Sequence, residues 1–118
     1  MYASPVALSA ARARKLLLRF DNVTEAPHFD RFAFKTPRRT FATLAGDGRD
    51  VNFMFDALAQ ETFCEMAPDI LAPVPGGWGR MGATRCDLKK VDEPTFLAAS
   101  DAAHARASQP RPSRRARR

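Results

Sequence analysis

The side chains in this chain best equipped for chemistry are arginines, together with one tryptophan. Residues 73–82 read PVPGGWGRMG, which sets Trp78, the single tryptophan, two positions before Arg80. An indole beside a guanidinium suits stacking on a base and pairing with its phosphate. The stretch TPRR adds Arg38 and Arg39, ATRCDLK adds Arg85, and the last residues add Arg114, Arg115, Arg117 and Arg118. Donors of this kind hold a phosphate backbone without reading its sequence.

Covalent or acid–base catalysis asks for something else: a nucleophile beside a base, paired carboxylates, or converging metal ligands. His28 follows Pro27 at a strand entry, where a histidine ordinarily bonds loop backbone. Cys64 falls on the apolar side of a helix, the place of an inert buried thiol. Glu61 and Glu65 share a helix face with no histidine or cysteine between them. GGWG lacks the Lys-Ser/Thr pair of a phosphate-binding P-loop and precedes a strand, not a helix. The expectation is a non-enzymatic protein with no metal and no cofactor. Cys64, Cys86, His28 and His104 show no zinc-like pairing, so two reduced thiols in a cytoplasmic protein are expected.

The net charge of +6 is confined to one end. Six of the nineteen Lys and Arg lie after Ala105, in ARASQPRPSRRARR, which has no acid. The remaining thirteen balance the thirteen Asp and Glu of residues 1–105. Residues 1–105 therefore read as one folded domain and 106–118 as a disordered basic arm, too poor in apolar side chains to order itself. No apolar run reaches the roughly 20 residues that cross a bilayer, so no membrane partner is expected. The N-terminal run MYASPVALSAARARKLLLRF is broken by Arg12, Arg14 and Lys15, unlike a secretory signal.

The elements that must position these groups follow from periodicity. Ser4-Pro5 reads as a helix start, with Val6, Ala10, Ala13, Leu16, Leu17 and Phe20 on one face and Arg12, Lys15 and Arg19 opposite. After a loop DNVTEAP, the runs HFDRFAFK, TFATLA and DVNFMFD alternate as three strands joined at TPRR and Gly46-Asp47-Gly48. Asp56 caps a second helix whose Leu58, Ala59, Thr62, Phe63 and Met66 share a face. ATRCDLK is a fourth strand, with Thr84, Cys86 and Leu88 inward and Arg85 and Asp87 outward. Asp92 and Pro94 open a last helix carrying Phe96, Leu97 and Ala103. The fold class is α+β: a two-layer sandwich in the order α-β-β-β-α-β-α, helices on one face of an antiparallel sheet.

The succession PHFDRFAFK, TFATL, the meander and PVPGGWGRMGATRCDL resembles the MmcQ/YjbR family over about residues 8–105. The resemblance implies a frataxin-like fold and DNA binding through wing-like β elements. The chain departs from the family pattern at Ala83, where a second aromatic is common, and at Met54, where a lysine is common. Two functions follow as expectations. One is sequence-nonspecific binding of DNA or another nucleic acid through Arg38, Arg39, Arg80, Arg85 and the terminal arginines. The other is an adaptor or chaperone-like module that meets a protein through a sheet edge or the basic helix face. For Trp78, burial as a plug beneath the last helix is expected over exposure as a stacking platform, because tryptophan is highly buried on average.

Overall fold

Alternation builds the sheet. Phe32 faces Leu44, Phe34 faces Ala42, Ala42 faces Phe53, Leu44 faces Val51, and Val51 faces Cys86, so one surface of the sheet is apolar throughout. The computed structural model describes residues 7–110. In chain order they form α1 (Ala10–Leu17), β1 (Thr24–His28), β2 (Arg31–Lys35), β3 (Thr40–Ala45), β4 (Asp50–Met54), α2 (Ala57–Met66), β5 (Leu71–Pro73), α3 (Gly77–Arg80), β6 (Ala83–Asp87) and α4 (Glu93–Ser108). The strands pair antiparallel in the order β1-β2-β3-β4-β6-β5. This is the α+β two-layer sandwich that the periodicity predicts, with two strands more than expected. Among the described residues no helix is long and apolar enough to cross a membrane.

Both additional strands lie at the sheet edges. The run HFDRFAFK breaks at Phe29-Asp30, a two-residue hairpin in which Phe29 takes a positive φ of 59°. That reversal lays TEAP, expected as loop, together with His28 along the free edge of β2. LAP does the same along β6. Neither segment has strand composition; each is held by backbone groups that the neighbouring strand leaves unpaired, a tertiary override of propensity. Both edges carry a proline, Pro27 in β1 and Pro73 in β5, which removes a donor and discourages further strands.

The core lies between the apolar surface and the helices. Phe34, Phe41, Phe53, Phe55 and Phe96 are all wholly buried. Phe41 reaches it through a bulge: Phe34 faces Ala42 and Lys35 faces Thr40, so Phe41 is the extra residue on β3. Its ring meets Phe20 edge-on at 5.7 Å and His104 at 5.4 Å, while Phe20 and His104 stack at 3.9 Å. Burial, then the nearby Arg19 charge, lowers the His104 pKa, against a smaller opposing pull from Asp101. Of the face expected on α2, Ala59 and Phe63 pack against the core, but Leu58 and Met66 are exposed.

The first helix starts later than its sequence suggests. Ser4, Pro5 and Val6 lie outside the described residues, and residues 7–9 are not helical. Ser9 is the cap, its hydroxyl accepting from Arg12 N at 3.0 Å. The preceding amides of Ala7 and Leu8 donate to Val91 O and Leu88 O, each at 2.8 Å. Those bonds tie residues 7 and 8 to the segment before α4, with Ala7 at a positive φ of 84°, which excludes a helix there. The basic stripe of α1 is not a free face either. Arg12 forks onto Glu93 of α4 at 2.9 and 2.8 Å, and Arg19 pairs with Asp101 of the same helix.

The last helix outruns the expected boundary at Ala105. α4 continues to Ser108, Ala107 is wholly buried, and Thr36 Oγ1 donates to Ala107 O at 3.2 Å. The helix carries the chain past Arg106 because Ala103 and Ala107, one turn apart, both fill the core. Arg111 and the arginines beyond it lie outside the described residues. Cutting the chain after Ala105 should therefore lower its stability by about 1–3 kcal/mol relative to a cut after Pro110, through loss of the buried Ala107 methyl and of the hydrogen bonds made by the last helical turn. Paired chemical-denaturation curves of the two truncations measure the difference.

Candidate functional site

Helices α1, α2 and α4 cover one surface of the sheet and leave the other open. On the open surface one row runs across five strands: Ala33, Thr43, Asn52, Arg85 and Ala72, each facing the next. Small side chains at Ala33 and Ala72 keep the ends of that row low. A groove of about 350 Å³ lies over the middle of that row, floored by Thr43, Asn52 and Met54 and walled by the His28–Phe29 hairpin tip and Trp78. The sequence reasoning missed this groove because Phe29 and Trp78 are 49 residues apart. The period-two pattern with polar Thr43, Asn52 and Arg85 was the available signal.

Trp78 is not a plug. Its side chain is 71% exposed, and Phe29 across the groove is 94% exposed. What organises the glycine-rich connection is Gln60 of α2. Its amide donates to Gly79 O at 2.8 Å, and lies within reach of Thr84 Oγ1 at 3.2 Å and Ala83 O at 3.3 Å. The glycines serve the backbone's own packing. A Cβ on Gly79 would stand 1.8 Å from Val74 O, and one on Gly82, at φ 109°, would stand 1.9 Å from Phe55 O. The connection coils into α3, with Val74 N bonded to Ala83 O and Phe55 N to Gly82 O, and this short turn carries the indole outward.

Beside the groove lies the one carboxylate that is buried among the described residues. The Asp50 side chain is 4% exposed and accepts from Arg31 at 2.7 Å, Arg85 at 3.0 Å and Arg49 at 3.3 Å. Burial by itself would raise the Asp50 pKa, but the hydrogen bonds and charges of Arg31 and then Arg85 outweigh it and hold the carboxyl below its ordinary 3.8. Arg31 is also fixed by Thr43, Nε to Oγ1 at 2.8 Å and Nη2 to the carbonyl at 3.1 Å. Arg85 reaches Asp50 through Nε alone, and its two Nη nitrogens have no partner among the described residues. Asp47 pairs Arg49 from its far side at 2.9 Å, so three guanidiniums stand around two carboxylates.

The predicted arginines do not converge. Arg85 belongs to the open surface with Trp78. Arg80 lies exposed on α3, its Nη2 over Gly77, 3.6 Å from where a Cβ would be. Arg38 and Arg39 sit on the β2–β3 hairpin beside the end of α4. There Arg39 is half-buried and donates from Nη2 to Gln109 O at 3.1 Å, a structural tie. Arg38 borders a second cavity of about 440 Å³ with Phe20, Asn22, Thr36 and His104. The Thr36 hydroxyl in that cavity is already engaged by the amides of Arg38 and Arg39 and the carbonyls of Arg39 and Ala107. Arg114, Arg115, Arg117 and Arg118 lie outside the described residues. Burial first, then Asp87 and Asp50, pushes the Cys86 thiol up to about 12, so it stays protonated at neutral pH. Burial likewise raises the pKa of the half-buried Cys64.

Comparison with known protein families, characterised proteins and solved structures found no match for this chain.

Two measurements check this account of the site. Gly82→Ala forces a side chain into the Phe55 carbonyl at a φ that L-residues avoid, so stability should fall by more than about 3 kcal/mol. Denaturant titration reads that loss. Asp50 contributes stability that is fully present above its unfolded pKa of about 4 and is lost as pH falls through its lower folded pKa. Thermal melting from pH 6 to 2 should show this acid-side loss, and Asp50→Asn should flatten that part of the profile while lowering stability at neutral pH.

Proposed function

We propose that the chain is a non-enzymatic module that binds single-stranded nucleic acid on the open surface of its sheet. The observation that carries this reading is the pair of exposed aromatic rings, Trp78 and Phe29, standing over one groove. Exposed rings over a sheet stack bases, each contributing about 1–3 kcal/mol, and every base offers the same kind of face. Arg85, with both Nη nitrogens unengaged among the described residues, supplies the phosphate contact. This replaces the hairpin arginines as the main contact and accords with the DNA-binding role implied by the MmcQ/YjbR resemblance. A cytoplasmic setting, in which the free Cys64 and Cys86 stay reduced, belongs to the same proposal.

A protein-interaction role through the sheet edges or the basic helix draws less support. Pro27 and Pro73 interrupt the edges, and Arg12 and Arg19 are spent on α4.

Trp78 is its own reporter, being the only tryptophan. Its emission in the free protein should be that of exposed indole and should be quenched on adding a short oligothymidylate at low salt. Trp78→Ala should weaken binding, followed by anisotropy of a labelled strand, by about 1–3 kcal/mol. The same change should alter stability by no more than about 0.5 kcal/mol, as for other exposed sites. On a chain cut after Pro110, which lacks the terminal arginines, the salt slope should be shallow, about 0.7 per phosphate contact. Unchanged emission with every strand tested would sink the reading.

A further inference from the structure

We infer that the groove is built for one adenine, with Asn52 as the residue that recognises it. This rests on the nucleic-acid reading above and specifies the base.

Asn52 sits in the middle of the groove floor, between Thr43 and Arg85 in the transverse row. It is half-buried, and its amide makes no hydrogen bond among the described residues. Its neighbours differ: Thr43 Oγ1 accepts from Arg31, and Arg85 is held by Asp50. A carboxamide presents one donor and one acceptor side by side. That pair matches the N6–H donor and N7 acceptor of adenine, the bidentate contact asparagine makes to this base. Guanine is read by an arginine aimed at O6 and N7. Here Arg31 is held by Asp50 and Thr43, and Arg85, held by Asp50 through Nε, keeps its Nη pair for the phosphate.

The size and walls of the groove agree. About 350 Å³ is at the small end of ligand sites, room for one nucleoside and not a stacked run. A purine with its edge on Asn52 lies with its ring faces toward the groove walls, where Trp78 and Phe29 stand and where a larger ring stacks over more area. Arg85, next to Asn52 in the row, is placed for the phosphate of the same nucleotide.

Quenching of Trp78 by oligo(dA), oligo(dT), oligo(dC) and free AMP tests this on the full chain and on Asn52→Ala. Asn52 has no bond to lose within the protein, so the variant should fold, and its melting curve verifies that. Oligo(dA) should bind about tenfold more tightly than oligo(dT) or oligo(dC), the lower part of what a bidentate base contact supplies. Asn52→Ala should abolish that preference, with oligo(dA) losing about tenfold more affinity than oligo(dT) loses; Asn52→Asp, which keeps an acceptor for N6–H, should retain part of it. Equal quenching by all three strands, or a preference that survives Asn52→Ala, overturns the adenine assignment and leaves the strand-binding function standing. Binding of AMP that depends on Asn52, without binding of any strand, upholds the base site and overturns the strand-binding function. No quenching by any of the four probes overturns both.

Discussion

The open surface of the sheet depends on Asp50. A carboxylate this well buried is costly unless its charge is met, and here Arg31, Arg85 and Arg49 meet it from different elements. Arg31 comes from the start of β2, Arg85 from β6 and Arg49 from the turn before β4, so the ion cluster ties together strands that share no hairpin. In holding them, Asp50 fixes where the cations of this surface lie. Arg31 is drawn flat against Thr43 and the groove floor stays shallow, while Arg85 keeps its outer nitrogens directed away from the carboxylate it touches through Nε.

That arrangement shows why net charge is a poor guide to a binding surface. Arg12, Lys15 and Arg19 look like a basic stripe on a helical wheel, but Glu93 and Asp101 take Arg12 and Arg19 in the folded chain, and Glu25 takes the neighbouring Arg14. Arg14 and Arg19 also lie over the rings of Phe32 and Phe20, at 5.0 and 4.2 Å, so they pack as well as pair. Arg39 is drawn to the end of α4. Each has a carboxylate or carbonyl from a distant part of the sequence. A guanidinium already satisfied within the fold gives up that bond to meet a phosphate, whereas Arg85 has donors to spare.

The position of Trp78 follows from what fills the interior. Phe53 packs on Phe55 at 5.8 Å and on Phe96 at 5.4 Å, and Phe55 stacks on Phe63 at 5.1 Å. Those rings occupy the layer between sheet and helices. The glycines nearby are explained without any ligand: Gly79 and Gly82 let the turn close against Val74 and Phe55. The resulting helical turn is braced by Gln60 and closed by its own backbone bonds, and its indole points to solvent. An exposed indole on a braced turn is a different object from an indole in a floppy loop. It loses little further freedom on binding.

Much of the fold was legible in the residues themselves. The alternation of Phe32, Phe34, Val51, Phe53, Thr84 and Cys86 marked the strands and their inward face, because a strand's period of two is a local property. Asp56 as a cap, TPRR and Gly46-Asp47-Gly48 as turns, and the two-layer class were readable for the same reason. The edge strands TEAPH and LAP were not, since their pairing comes from a neighbour's free backbone groups. Nor was the start of α1, which bonds between residues 7–8 and 88–91 displace to Ser9. The groove was the least legible of all. Local spacing indicates which face of a strand a side chain takes, but Phe29, Asn52 and Trp78 meet only because the hairpins and the coiled turn fold over the same bare surface. Tertiary structure alone decided that Gln60 braces the turn, that Asp50 gathers the arginines, and that the tryptophan stays outside a core already full of phenylalanine.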